Sequence, residues 1–432
     1  MTDSYGRTLT LDFDSGLLKT VTTPDSLVLT YTVIQVTGGN RLYSVSYNTT
    51  PVARLTYLYG NAGFPFALTG VTDENGKRFA SWTYDGSGRG VSSEQGAGAG
   101  LTALTYNANG TTTVTNAFGV AETYKFAILQ GTQKVIEIDR AATATTKAAK
   151  RVLTYDGNGY LSGETDWNGG KTTFENDAHG DPTTMNEAVG SAVARTTTIG
   201  YDTTWVHLPH EIVTPGLTST FGYDSNGNQL TRTDRDTTTG SAPYATGGQT
   251  RVTARAWSAT GELLSVQLPR TDVTAKTSYT YGADGALIQI EDALKHLTKI
   301  TAHTGGGLPL TVVDSNGVKT TLTYDARLNV NTSTLATTAG ALTTTYTHDA
   351  ANNLTAVELP NGSKLTYGYD AAHRLTSVAD LFGDTTTYTL DALGDRAEAR
   401  KLQEQVVSAR RRVLGEEHPD TVRSMKSLAQ MQ

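Results

Sequence analysis

Over most of the chain, apolar and polar residues alternate with a period of two, and Asp, Asn and Gly break the alternation at short intervals. LTYGYD (residues 365–370) followed by RLTSV (374–378) shows the pattern plainly. Side chains in such a run stand on opposite faces of a strand, so the pattern predicts strands with one buried face. The breaks have their own chemistry. An Asp side chain there can accept a hydrogen bond from the backbone N–H two residues on, closing an Asx-type turn. Gly or Asn three residues after it supplies the left-handed conformation of a short bulged hairpin.

The phrase repeats. A Thr/Val-rich run, then Tyr-Asp, then small or polar residues, recurs at Tyr84-Asp85, Tyr155-Asp156, Tyr223-Asp224 (with Gly227), Tyr324-Asp325 and Tyr369-Asp370. Degenerate copies start at Asp12, Thr105, Glu175, Gly200, Ala256, Thr280, Thr347 and Thr389. In the second half the Tyr position steps through 257, 281, 302, 324, 348, 369 and 390, the copy at 302 (ITAHTGGGL) being eroded. Each unit reads as a hairpin of about 21 residues that cannot bury its own face, so neighbours must bury it, as in quasi-one-dimensional arrays. The Tyr offers a ring for cross-strand packing and a hydroxyl for water or a carbonyl. Residues 24–82 and 125–150 break the rhythm, as does TTTGSAPYATGG near 240, and these read as long loops or irregular strands.

Composition agrees with β structure. Thr exceeds one residue in six, with 21 Tyr and 44 Gly, which suit pleated surfaces and turns. The absence of Cys excludes disulfides and thiolate chemistry. A net charge of −7, without a basic block in the first 390 residues, argues against nucleic acid as a partner. No run of 18 apolar residues exists, so no membrane-spanning helix is expected. The start, MTDSYGRTLTLDFDSG, lacks the charged and apolar regions of a signal peptide. Export would then use a specialised secretion system or a longer chain.

These residues carry a resemblance. The Tyr-Asp phrase is similar to the YD repeats of Rhs proteins, insecticidal toxin-complex shells and teneurins, over roughly residues 1–394. LTGVTDENGKRFASWTYDGSGRGVSSE (68–94) and LTYNANGTTTVTNAFGVAETYKF (104–126) resemble bacterial Rhs proteins in particular. The resemblance implies an all-β fold, an array of hairpins winding as a spiral sheet or open shell around a C-terminal toxin. It also implies secretion or cell-surface display. The family cuts itself beside an Asp-Pro-type motif in a closing segment. Asp181-Pro182 lies inside a repeat without a following Gly, and that role does not transfer to it.

After Gly394 the composition shifts. Residues 395–432 hold 14 charged residues in 38 and a single Thr. Ala399, Leu402, Val406, Ala409 and Val413 recur at helical spacing, Gly415 suits a helix end, and Pro419 opens a second helix with Val422, Met425 and Leu428. KLQEQVVSARRRVLGEEHPDTVRSMKSLA resembles a tetratricopeptide fragment of the kinesin-light-chain type, a short α-hairpin suited to protein–protein contact.

Candidate sites reduce to ordinary readings. Pro209 keeps His207 and His210, beside Glu211, from sharing a helix face, so they read as a loop and not a metal site. Asp234 and Asp236 lack the ligand spacing of a calcium loop and read as a solvated turn. Gly96, Gly98 and Gly100 follow no phosphate-binding fingerprint and read as a flexible loop. Arg410, Arg411 and Arg412 read as a solvated helix face or partner surface. No catalytic, cofactor or metal residue is assigned. The expectation is a non-catalytic shell or scaffold piece that encloses or presents a cargo, with toxin cargo or secretion-apparatus proteins as partners. The alternative is an adhesion module binding glycans or proteins.

Overall fold

The computed structural model describes residues 1–143, 146–240, 246–270 and 274–390. The tetratricopeptide-like tail, with its apolar stripe and three arginines, lies outside the described residues. The described part holds 33 β-strands and a single turn of 3₁₀ helix at Gly96–Gly98. The fold is all-β. The strands form an antiparallel meander in which successive strands pair, as Leu217–Tyr223 does with Gln229–Asp236, and that strand with Thr250–Trp257.

The residues fall into two compact units. One comprises Met1–Thr8, Tyr106–Thr113 and Ala121–Thr321, and the other Leu9–Thr105, Val114–Val120 and the chain from Leu322 onward. Each therefore unites segments far apart in sequence.

The wall is thin. The buried apolar side chains are small or few, among them Val45, Ala80, Ile138, Ala286, Ala356 and Ala372, and the largest fully buried side chain is Ser44. The strand face expected to be buried is only half-buried along most strands. Stability must come from many modest contacts spread along the meander.

Two stretches expected to interrupt the array carry paired strands, each pair with one register shift. Val28–Val36 pairs with Gly39–Tyr47, and Ala121–Leu129 pairs with Thr132–Arg140. Gln130 and Gly131 both take positive φ, giving the second hairpin its two-residue turn. The repeat phrase is missing there because a two-residue turn needs no Asx cap.

Candidate functional site

The Tyr-Asp turns share one construction. In the turn at Asp224 the backbone N–H of Asp224 donates to the Asn228 carbonyl (3.0 Å) and that of Gly227 donates back to Asp224 (3.1 Å). Asp224 Oδ1 accepts from the N–H groups of Asn226 (2.8 Å) and Asn228 (2.9 Å). Asp85, Asp156, Asp325 and Asp370 make the same pair of bonds, two and four residues on. Hydrogen bonds from the Asn228 side chain and the turn backbone hold the Asp224 carboxyl below its ordinary pKa, against a smaller desolvation effect. The strand register slips beside each aromatic position, between Gly222 and Tyr223 and likewise before Tyr84, Tyr155 and Tyr369. These bulges aim the ring.

Its hydroxyl reaches the preceding hairpin. Tyr84 donates to the Leu68 carbonyl (2.7 Å), Tyr155 to Val135 (2.7 Å), Tyr223 to Pro209 (2.7 Å) and Tyr369 to Leu354 (2.9 Å). Degenerate copies keep the bond with other donors, the Trp257 indole reaching Gln229 (2.9 Å) and the Asn176 amide reaching Leu161 (2.9 Å). The eroded copy is shifted by one residue. His303 fills the aromatic position, its Nε2 2.8 Å from the Leu287 carbonyl, and Thr304 replaces the Asp. Each unit is thus riveted to the one before it. Burial of Tyr369, with Tyr367 and Asp349 nearby, pushes its hydroxyl up to about 12.

A second row of Asx turns was missed in the sequence. DWNG at Asp166 and DSNG at Asp314 cap the other end of the hairpins with the same pair of bonds, and DENG at Asp73 with the bond four residues on, from Lys77 N. The signal was present as Asp-x-Asn-Gly, at Asp166 ten residues after the Asp of a Tyr-Asp pair and at Asp314 ten residues after Thr304 of the eroded copy.

In the unit holding Leu9–Thr105, one of these turns meets three distant Tyr-Asp turns. Asp73, 2% exposed, accepts from Lys77 N (2.6 Å) through Oδ1 and lies 2.7 Å from His373 Nε2 through Oδ2. The His373 ring packs on Phe79, centroids 4.7 Å apart. Glu74 pairs with Arg327 at 3.0 Å, the side chains 9% and 12% exposed. Arg327 also bonds the Ala350 carbonyl and stacks over the Tyr47 ring at 4.1 Å. The Asn75 amide donates to Asp349 (2.8 Å). Burial opposes the Asp349 charge, but bonds from Asn353, Asn75 and the turn backbone outweigh it and keep its carboxyl below the ordinary value. The contact joins residues about 250–300 apart in sequence. Paired, hydrogen-bonded charges are what such burial requires.

Gly96 is part of this seam. Gly96, expected in a flexible loop, is buried, and a Cβ there would lie 2.3 Å from the Ala371 carbonyl. The close backbone approach explains the glycine. In the other unit, Tyr5 plays the matching part: its hydroxyl donates to Thr260 (2.9 Å), and its ring lies where a Gly285 Cβ would be, 2.5 Å away.

The remaining candidates fall apart as sites. His210 and Glu211 lie exposed on the strand Pro209–Thr214, whereas His207 turns to Asp181, 2.5 Å away. Asp181 N–H is itself held by Asp177 within a Tyr-Asp-type turn (3.0 Å). Asp234 and Asp236 lie on a strand and not in a solvated turn. Asp234 accepts from Ser219 (2.6 Å) and Arg232 (2.8 Å), and Asp236 accepts from Thr238 N (2.8 Å). Alternate strand positions put these carboxylates on one face with their cross-strand donors. Among the described residues no cluster of three or more His, Asp or Glu side chains could hold a metal, and no helix is long and apolar enough to cross a membrane.

Residues 348–385 match the family model for the RHS repeat. The chain carries an RHS repeat. A tetratricopeptide repeat model matches residues 388–420, beginning before Gly394. The chain as a whole is similar in fold to the TcdB2-TccC3 structures. One, TcdB2-TccC3-TEV, gives a TM-score of 0.57 at 16% identity, covering 90% of this chain and 22% of that one. TcdB2-TccC3 itself gives 0.54 at 16% identity, covering 91% and 23%. The Tc holotoxin pore of Photorhabdus luminescens, in a TccC3-mutant form, gives 0.53 at 16%, covering 90% and 22%. This chain thus spans less than a quarter of the length of these chains. No curated protein matches its sequence.

Proposed function

We propose that this RHS array is a length of structural wall, part of a polymorphic-toxin shell that encloses or presents a cargo protein. Its work is done by shape, with no turnover. The observation that carries this reading is the seam at Asp73, Glu74 and Asn75, which ties turns 250–300 residues apart into one unit. A single-layer sheet with half-buried faces gains little by lying alone. One whose distant turns are joined by a buried ion pair and buried hydrogen bonds has the connections a continuous wall needs. The fold shared with the TcdB2-TccC3 structures supports the same reading. Toxin cargo or secretion-apparatus proteins are its partners under this proposal, and export runs through a specialised system. The division at residue 394, with a helical tail for protein contact, belongs to the proposal as well.

Electron microscopy of the purified chain tests it. A hollow or concave envelope with a wall one sheet thick is expected. A compact, filled particle would overturn it. Intact mass should also stay at 45.9 kDa after prolonged incubation near neutral pH. Fragments split beside Asp181, abolished by Asp181→Asn, would replace the non-catalytic reading with a self-cleaving one.

A further inference from the structure

We propose that the cleft between residues 59–69 and the strand Arg78–Tyr84 binds an acidic saccharide. The cleft has a volume of about 480 Å³, within the range of small-molecule sites. Trp82 and Tyr84 line it from alternate positions of one strand, so their rings share a side of the sheet. The Tyr84 hydroxyl is engaged by Leu68, leaving its ring as wall. Half-buried Trp82 offers an indole face, on which the C–H face of a pyranose can stack.

The polar lining is one-sided. Asn61 Oδ1 accepts from the N–H groups of Gly63 (3.0 Å) and Phe64 (3.1 Å), which fixes the loop and leaves the amide N–H₂ without a partner among the described residues. Arg78 is held by Ser81 (Nε, 3.1 Å) and the Thr69 carbonyl (Nη2, 2.5 Å), and its Nη1 has no partner among the described residues. The Trp82 indole N–H is likewise unengaged there. Thr69 Oγ1 already accepts from Gly60 N (2.7 Å) and donates to Leu58 O (3.1 Å). No carboxylate lines the cleft. Three unused donors, one cationic, call for an acceptor-rich ligand. One fixed guanidinium suits a single carboxylate better than a polyphosphate. An aromatic platform beside it adds the sugar ring.

Calorimetric titration of the full chain with trigalacturonate, 3′-sialyllactose, lactose and ADP tests the proposal. Saturable binding of at least one acidic saccharide is expected, with lactose and ADP at least about tenfold weaker, a difference of about 1.4 kcal/mol. Trp82→Ala should weaken that binding at least about tenfold and Trp82→Phe, which keeps an aromatic face, much less. Asn61→Asp is the sharper variant. Asp preserves the turn bonds to Gly63 and Phe64 but sets a negative charge in the cleft, so acidic ligands should be rejected while the thermal midpoint holds. Three results would overturn the proposal: no saturable binding of either acidic probe, ADP or lactose binding as tightly, or acidic-saccharide binding that survives both Trp82→Ala and Asn61→Asp.

Discussion

The turns at Asp224 and Asp370 have the same backbone and opposite requirements for their fourth residue. In the first, Gly227 sits at φ +82 with the Trp205 ring 3.2 Å from where a Cβ would be. The glycine lets an aromatic lid close over the turn. In the second, His373 takes the same left-handed position at φ +59, a conformation that costs a side chain about 1–2 kcal/mol. Leu328 and Asn352 do likewise in the two preceding Tyr-Asp turns, both at φ +67. These three turns meet the Asp73 turn through Arg327, Asp349 and His373. At Gly227 the glycine relieves the backbone and admits the Trp205 ring, whereas at His373 the chain accepts strain to place a side chain against the Asp73 turn.

Removing the side chain at the strained turn should have the largest effect. His373→Ala leaves the nearly buried Asp73 carboxylate short of a partner and should cost about 3 kcal/mol by urea unfolding. His373→Gly, which loses the same bond but relaxes the backbone, should recover about 1 kcal/mol of that. Equal losses for the two variants would mean that the strain is not real.

Next comes Gly227→Val, expected to cost about 2 kcal/mol from the left-handed backbone, with the Trp205 contact adding to it. Gly157, in the neighbouring turn position with ordinary φ and open space, is its control. Gly157→Val should change the urea midpoint far less, and matching shifts would count against the comparison.

The rivets contribute less individually. Tyr369→Phe removes one hydroxyl and should cost about 1 kcal/mol. Because the folded-state pKa of Tyr369 is raised, its contribution is full below about pH 10 and is lost as pH rises through about 12. The alkaline limb of the stability curve should therefore flatten in Tyr369→Phe, read by circular dichroism. An unchanged limb would show that Tyr369 does not set it.

The smallest effect concerns the caps. Asp85 and Asp224 have lowered carboxyl pKa values in the folded state, so their stabilisation is present above about pH 4 and fades as pH falls through the lowered values. Asp224→Asn should keep the turn and reduce the acid dependence as pH falls below about 4. Identical acid limbs would assign acid sensitivity to other carboxylates.

Much of one hairpin could be read from the sequence because its causes are local. Asp224, Asn226, Gly227 and Asn228 lie within five residues, and their bonds depend on spacing alone. The second row of caps was equally local, at Asp166 and Asp314, but the Tyr-Asp phrase drew attention from it. The copy at His303 escaped because the bond depends on a donor reaching Leu287, which an imidazole supplies as well as a phenol. The seam had no local signal. Asp73 and His373 lie in phrases that differ little from a dozen others, and their meeting is decided by the accumulated twist of the intervening strands.

The rivets and the seam also set how the array would yield to force. A Tyr bonded one hairpin back ties each unit only to its predecessor, so a pull on one terminus should peel units singly. Each step would release about 70 Å of chain for 21 extended residues. The clasp of Asp73 and Glu74 with His373 and Arg327 interrupts that sequence. Until it breaks, tension is carried across the loop it closes, and rupture should appear in an optical trap as one tall event set among a ladder of small ones.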